Sequence, residues 1–106
     1  MTIFQGDQIM IALTLTDDQG NPITGTDAEE VVITLGSITR KTSDDNPVYY
    51  DGELEAWMVP IYQTETSALP AGMARMQARV KFDDGAIGSA TVATVFVLPA
   101  QNTEVL

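Results

Sequence analysis

At 106 residues the chain is one domain, large enough to bury about two-thirds of the surface its unfolded form exposes, and no second domain fits. Its 44% hydrophobic and 19% charged composition argues against disorder, while fifteen acidic against five basic residues give a formal charge of −10 that disfavours nucleic acid and an acidic membrane as partners. The absence of cysteine excludes a disulfide scaffold, so the fold must stand on its packing.

The N-terminus, MTIFQGDQIMIALTLT, has neither a basic leader nor an unbroken apolar stretch, and no run approaches the ~20 apolar residues of a membrane helix. The expectation is a soluble protein folded in a cytoplasm. From Gln8 to Thr16, Ile9, Ile11, Leu13 and Leu15 alternate with less apolar neighbours, which predicts a strand. Asp17 to Asn21, ahead of Pro22, supply turn formers and predict a reversal.

The β-branched run Glu30 to Thr34 predicts a strand that continues less regularly through Leu35 and Ile38, with Gly36 read as a bulge. A polar loop, Thr42 to Pro47, leads to Tyr49 and Tyr50, which suit a very short strand before the Asp51-Gly52 turn signal. Leu54 to Ile61 reads as a strand of ambiguous parity, since Leu54, Ala56 and Met58 compete with Trp57, Val59 and Ile61 for the interior. The second set buries more apolar area and is favoured, with Trp57 as a core residue. Glu53 and Glu55 share its parity, and a bulge or the sheet edge near the strand's start would leave them wet.

Thr64 to Leu69 suits a single helical turn before Pro70, capped by Thr64 or Thr66. Between Arg75 and Phe82 the alternation is clean: Met76, Ala78, Val80 and Phe82 fall on one face and Arg75, Gln77, Arg79 and Lys81 on the other. Asp84-Gly85 predicts a two-residue hairpin into a last strand, Ile87 to Leu98, whose apolar part is Val92, Val95, Phe96, Val97 and Leu98 and which Pro99 ends. The domain therefore spans residues 1–99, with Ala100 to Leu106 as a short tail. Six or seven strands without a useful amphipathic helix predict an all-β antiparallel sandwich.

Without histidine or cysteine the commonest general base, the usual zinc ligands and the thiol nucleophile are all missing. The acidic pairs Asp17-Asp18, Glu29-Glu30, Asp44-Asp45 and Asp83-Asp84 leave carboxylate catalysis or calcium as options, but they fall in predicted turns and match no calcium-loop pattern. No glycine string forms a phosphate cradle. The expectation is a protein with no catalytic residues, no cofactor and no metal.

The one unusual local feature is the basic stripe, because Arg75, Arg79 and Lys81 are three of five positive charges and share a strand face with Gln77. Cross-strand pairing with acidic residues is one reading, and a contact patch for an acidic neighbour is the other. Ile3 and Phe4 are further candidate interface residues, since an exposed apolar strand Thr2-Ile3-Phe4 is a template for pairing with a partner's sheet edge.

Two stretches resemble a known family. FQGDQIMIALTLTDDQGNPITG, Phe4 to Gly25, is similar to the opening strand and turn of small immunoglobulin-like domains in bacteriophage virion proteins. The succession WMVPI, QTETSALPAG and MQARVKFDDG, between Trp57 and Gly85 and followed by Ser89, is similar to the N-terminal domain of phage baseplate upper proteins. The resemblance implies an immunoglobulin-like β-sandwich of about seven strands that docks other virion proteins, in the tail or baseplate or as head decoration. With the sequence ending at Leu106, it implies a small accessory protein of the virion, present in several copies or as a homo-oligomer and acting through its own surfaces. A soluble immunoglobulin-like module recognising host-surface carbohydrate or protein is the alternative.

Overall fold

The structure, a computed structural model, describes residues 1–100, with the side chains of residues 90–92 left aside. Of the expected tail, residues 101–106 lie outside the described residues, as does the side chain of Val92. Eight strands and one short helix are present among the described residues: β1 (Thr2–Phe4), β2 (Ile9–Leu13), β3 (Ala28–Leu35), β4 (Ile38–Lys41), β5 (Tyr49–Asp51), β6 (Ala56–Ile61), α1 (Gln63–Ser67), β7 (Gly72–Phe82) and β8 (Ile87–Leu98). They form a five-stranded sheet in the order β1-β8-β7-β3-β4 and a three-stranded sheet in the order β2-β6-β5. The chain is all-β, as its turn and strand signals predict.

Period-two alternation sends one apolar set from each sheet into a shared interior. Ile3, Val31, Ile33, Leu35, Met76, Ala78, Val80, Val95 and Val97 from the larger sheet join Ile11, Leu13, Trp57, Val59 and Ile61 from the smaller in one buried cluster. Trp57, Val59 and Ile61 join the core cluster as favoured, but Ala56 and Met58 of the competing parity are buried as well, and only Leu54, before the strand's start at Ala56, is exposed. Trp57 is core: its indole N–H donates to the Ile23 carbonyl at 2.8 Å, and its ring meets Tyr50 edge-on at 5.3 Å.

Turn chemistry explains the places where the chain departs from its sequence reading. Gly36 is not a bulge; with Ser37 it forms a two-residue hairpin between paired Leu35 and Ile38, and its φ of +57° sits where a type II′ turn needs a positive value. The loop after β7 is longer than two residues: Phe82 N–H bonds the Ala86 carbonyl at 2.9 Å, Asp83 to Gly85 lie between, and only Gly85 has positive φ, at +88°. The Asp51-Gly52 signal likewise opens a four-residue connection in which the Asp51 carboxylate accepts the N–H groups of Glu53 and Leu54 and Glu55 takes a φ of +52°. Glu53 and Glu55 are exposed there.

The helical turn begins one residue before the expected span, and neither Thr64 nor Thr66 caps it. Tyr62 is the N-cap, with its N–H held by the Glu65 carboxylate at 2.9 Å. Thr66 is fully buried inside the turn, where its hydroxyl donates to the Asp7 carbonyl at 2.7 Å. The longest strands, 11 and 12 residues, pair as the β7–β8 hairpin and account for most of the molecule's 46 Å length.

Candidate functional site

β7 lies in the middle of the larger sheet, so its outward side chains are flanked by those of β3 and β8. Arg75, Gln77, Arg79 and Lys81 are all exposed on that outer face, as the alternation predicts. Their cross-strand neighbours decide between pairing and contact. Arg75 lies opposite Thr94, Gln77 between Thr34 and Thr91, and Arg79 between Val32 and Ser89. Lys81 alone has acidic neighbours: it faces Glu30 and reaches Glu29 at 3.7 Å, a half-exposed pair worth about 0 to 1 kcal/mol.

One further cation joins them. Lys41 on β4 pairs with Val32, which pairs with Arg79, so Lys41, Val32, Arg79 and Ser89 form one row across the sheet. Four of the five basic residues therefore share one face of a protein with net charge −10, and among the described residues no ion pair involves Lys41, Arg75 or Arg79.

The fifth, Arg40, has an internal task. Alternation turns it inward from edge strand β4, where its guanidinium pairs with Glu65, donates from Nε to the Pro60 carbonyl at 3.1 Å and lies 5.1 Å from the centre of the Tyr62 ring. It ties the larger sheet to β6 and α1 across the side of the core. From sequence it was indistinguishable from its neighbour Lys41.

The two N-terminal candidates separate. Ile3 is 4% exposed and belongs to the core, whereas Phe4 is on the surface. β1 is an edge strand, but one side is already paired, in parallel, with β8: Phe96 N–H bonds the Met1 carbonyl and Gln5 N–H the Leu98 carbonyl, both at 2.9 Å. On its other side the Phe4 N–H donates to Asp7 Oδ2 at 3.0 Å, and the Phe4 carbonyl accepts the Asp7 N–H at 3.1 Å. The chain's own turn thus occupies the backbone groups that pairing with a partner's sheet edge would need at Phe4.

Sequence reasoning missed an apolar block beside the basic stripe. The register of β7 and β8 skips residue 92, between the Met76–Ala93 and Gln77–Thr91 pairs, so the outward residues of β8 change from odd to even numbers. Val95 and Val97 enter the core, and Phe96 and Leu98 face outward. Phe96 pairs with Met73 and Leu98 with Phe4, which makes a cluster of Phe4, Leu98, Phe96 and Met73 at one end of the β7 face. These side chains are 39–71% exposed. The sequence marks Val95 to Leu98 only as apolar, and the register step that turns Phe96 and Leu98 outward has no local sign in it.

Three of the four acidic pairs lie in turns, whereas Glu29-Glu30, expected in a turn as well, lies in strand β3, where Glu29 reaches Lys81 and Glu30 accepts the Ser43 hydroxyl at 3.0 Å. Asp17 Oδ1 accepts the N–H groups of Gln19 and Asn21, Asp44 Oδ2 that of Lys41, and Asp84 Oδ1 that of Ala86, each at 2.8–2.9 Å. Among the described residues no group of three or more His, Cys, Asp or Glu side chains is gathered to hold a metal ion. A cleft of about 700 Å³ opens between the Thr14–Asp18 segment and the Lys81 end of β7 and β8, and is lined chiefly by Leu15, Ile23, Val80, Phe82 and Ile87. A shallower groove of about 500 Å³ lies beside Met10, Pro47, Tyr49 and Tyr62. Neither cleft contains any of the basic residues. Comparison with protein-family models, curated proteins and solved structures finds no match to the chain.

Proposed function

We propose that this chain is an immunoglobulin-like module that serves as a non-enzymatic structural or accessory protein of a tailed-phage virion, at the tail or baseplate or on the head, and acts by docking other virion proteins. Strand order supports the fold. In a variable-type immunoglobulin domain a sheet built on strands G, F and C and extended by C′ faces a sheet of strands B, E and D. Here β8, β7, β3 and β4 stand in the first order and β2, β6 and β5 in the second, with β1 added beside β8 as a short parallel edge.

The observation that carries the docking reading is the un-neutralised β7 face. An isolated surface cation costs little, but Arg75 and Arg79 stand together on a central strand, and among the described residues no acidic side chain forms an ion pair with either. Such an arrangement gives electrostatic complementarity to an acidic neighbour and steers its encounter. The residues quoted from Phe4 to Gly25 and from Trp57 to Ser89 supply the virion context through their resemblance to phage modules.

A mass-spectrometric inventory of purified phage particles tests the proposal. The chain is expected in stoichiometric, multi-copy amounts, and its absence from the particles would overturn the reading. Binding of the isolated domain on a glycan array, together with that absence, would favour the carbohydrate-recognising alternative.

A further inference from the structure

We infer that the outer face of β7 and β8 is a bipartite docking surface for an acidic protein segment with an apolar anchor at one end, and that it works face-on instead of by strand addition. The inference rests on the docking reading above and names the partner's chemistry. Along β7 the outward residues run Met73, Arg75, Gln77, Arg79, Lys81, spaced by about 7 Å per pair of residues. The apolar block of Phe4, Leu98 and Phe96 sits beside Met73, so a partner anchored at that end passes Arg75 after about 7 Å and Arg79 after about 20 Å.

Composition fits an interface. Protein contact surfaces are enriched in Phe, Met and Arg and poor in Asp and Glu, and their binding energy concentrates in aromatic and arginine side chains. The outward residues from Phe4 and Phe96 to Arg79 follow that pattern; among the described residues acidic side chains adjoin it at Asp7, whose carboxylate is bonded to the Phe4 N–H at the β1 edge, and at Glu29, Glu30, Asp83 and Asp84 near Lys81. That acidic border disfavours a broad anionic surface such as a membrane or duplex, which would press against it, and admits a narrow acidic segment. A second copy in two-fold contact would set Arg75 and Arg79 against their own counterparts. Strand addition at β1 is hindered because Asp7 holds both backbone groups of Phe4.

The test uses the full chain, isotope-labelled for NMR, and a synthetic peptide with a phenylalanine-rich end and a glutamate-rich end. The peptide is expected to shift resonances of Met73, Arg75, Arg79 and Phe96, its aromatic end mapping to Met73 and Phe96. Arg75→Glu with Arg79→Glu should weaken it at least about tenfold, as should serine in place of the peptide's phenylalanines. Phe96→Ser should weaken the aromatic peptide and leave its serine version unchanged. Both chain variants should keep the wild-type Tm, since these side chains are exposed.

Equal binding by wild type and the doubly reversed chain, or shifts confined to other faces, would overturn the inference. So would stronger binding to mixed phosphatidylcholine and phosphatidylglycerol vesicles, or self-association abolished by the same substitutions. If the peptide fails while the doubly reversed chain is still lost from particles, the partner chemistry falls and the docking function stands.

Discussion

The two sides of β7 are built from alternate residues of one strand and obey opposite rules. Inward, Met76, Ala78 and Val80 are 0–5% exposed and pack against both sheets, so each contributes stability through burial. Outward, Arg75, Gln77 and Arg79 meet threonine, serine and a half-buried valine and add little to the fold. The outer face of the smaller sheet makes a third case. Met10, Ala12, Met58, Pro60 and Tyr49 cover it without a single cation. Concentration of basic residues on one outer face is therefore a property of this one surface and not of exposed strands in general.

Substitutions should separate these rules. The largest effect is expected on the inner side: Met76→Ala should cost about 2 to 5 kcal/mol, because the fully buried side chain leaves a cavity between the sheets. Chemical denaturation measures it, and a cost below about 1 kcal/mol would mean that the core does not depend on β7 as described. Next comes Arg40, the one basic residue turned inward. Arg40→Ala removes the partner of Glu65 and the bond to Pro60 and should cost about 1 to 3 kcal/mol. Lys41→Ala, one residue away on the outer face, should stay within about 0.5 kcal/mol, so equal effects would erase the distinction between the two sides.

A smaller effect sharpens the contrast between face and edge. Asp7→Ala should cost about 0.5 to 1.5 kcal/mol by freeing the Phe4 N–H. It should also raise concentration-dependent association in sedimentation velocity, because an edge strand with unpaired groups recruits others. Unchanged association would show that Asp7 does not guard the β1 edge.

Much of this division was legible in the chain. The alternation from Arg75 to Phe82 separates both sides of β7 by inspection, and the larger apolar area of Trp57, Val59 and Ile61 selects the residues of β6 that join the core cluster. What escaped depended on pairing between distant segments or on backbone angles. The register step at Met76–Gln77 turns Phe96 outward, and no local pattern announces it. Parallel pairing with β8 puts Ile3 inside, a contact across the whole domain. Gly36 reads as a bulge or a turn equally well until Leu35 and Ile38 are seen to pair. Arg40 differs from Lys41 through the parity that β4 takes on pairing with β3, which sets Arg40 opposite buried Ile33 and within reach of Pro60 and Glu65. The basic stripe itself was visible, whereas its lack of acidic neighbours required the positions of Thr94, Ser89 and Val32.

The most direct measurement compares wild-type and Arg75→Glu, Arg79→Glu chains supplied together during phage assembly, with their ratio in purified particles read by mass spectrometry and their Tm values measured separately. The docking face predicts equal Tm values, a stability difference within about 0.5 kcal/mol, and depletion of the reversed chain from particles by about tenfold or more. Equal Tm values with equal incorporation would contradict it.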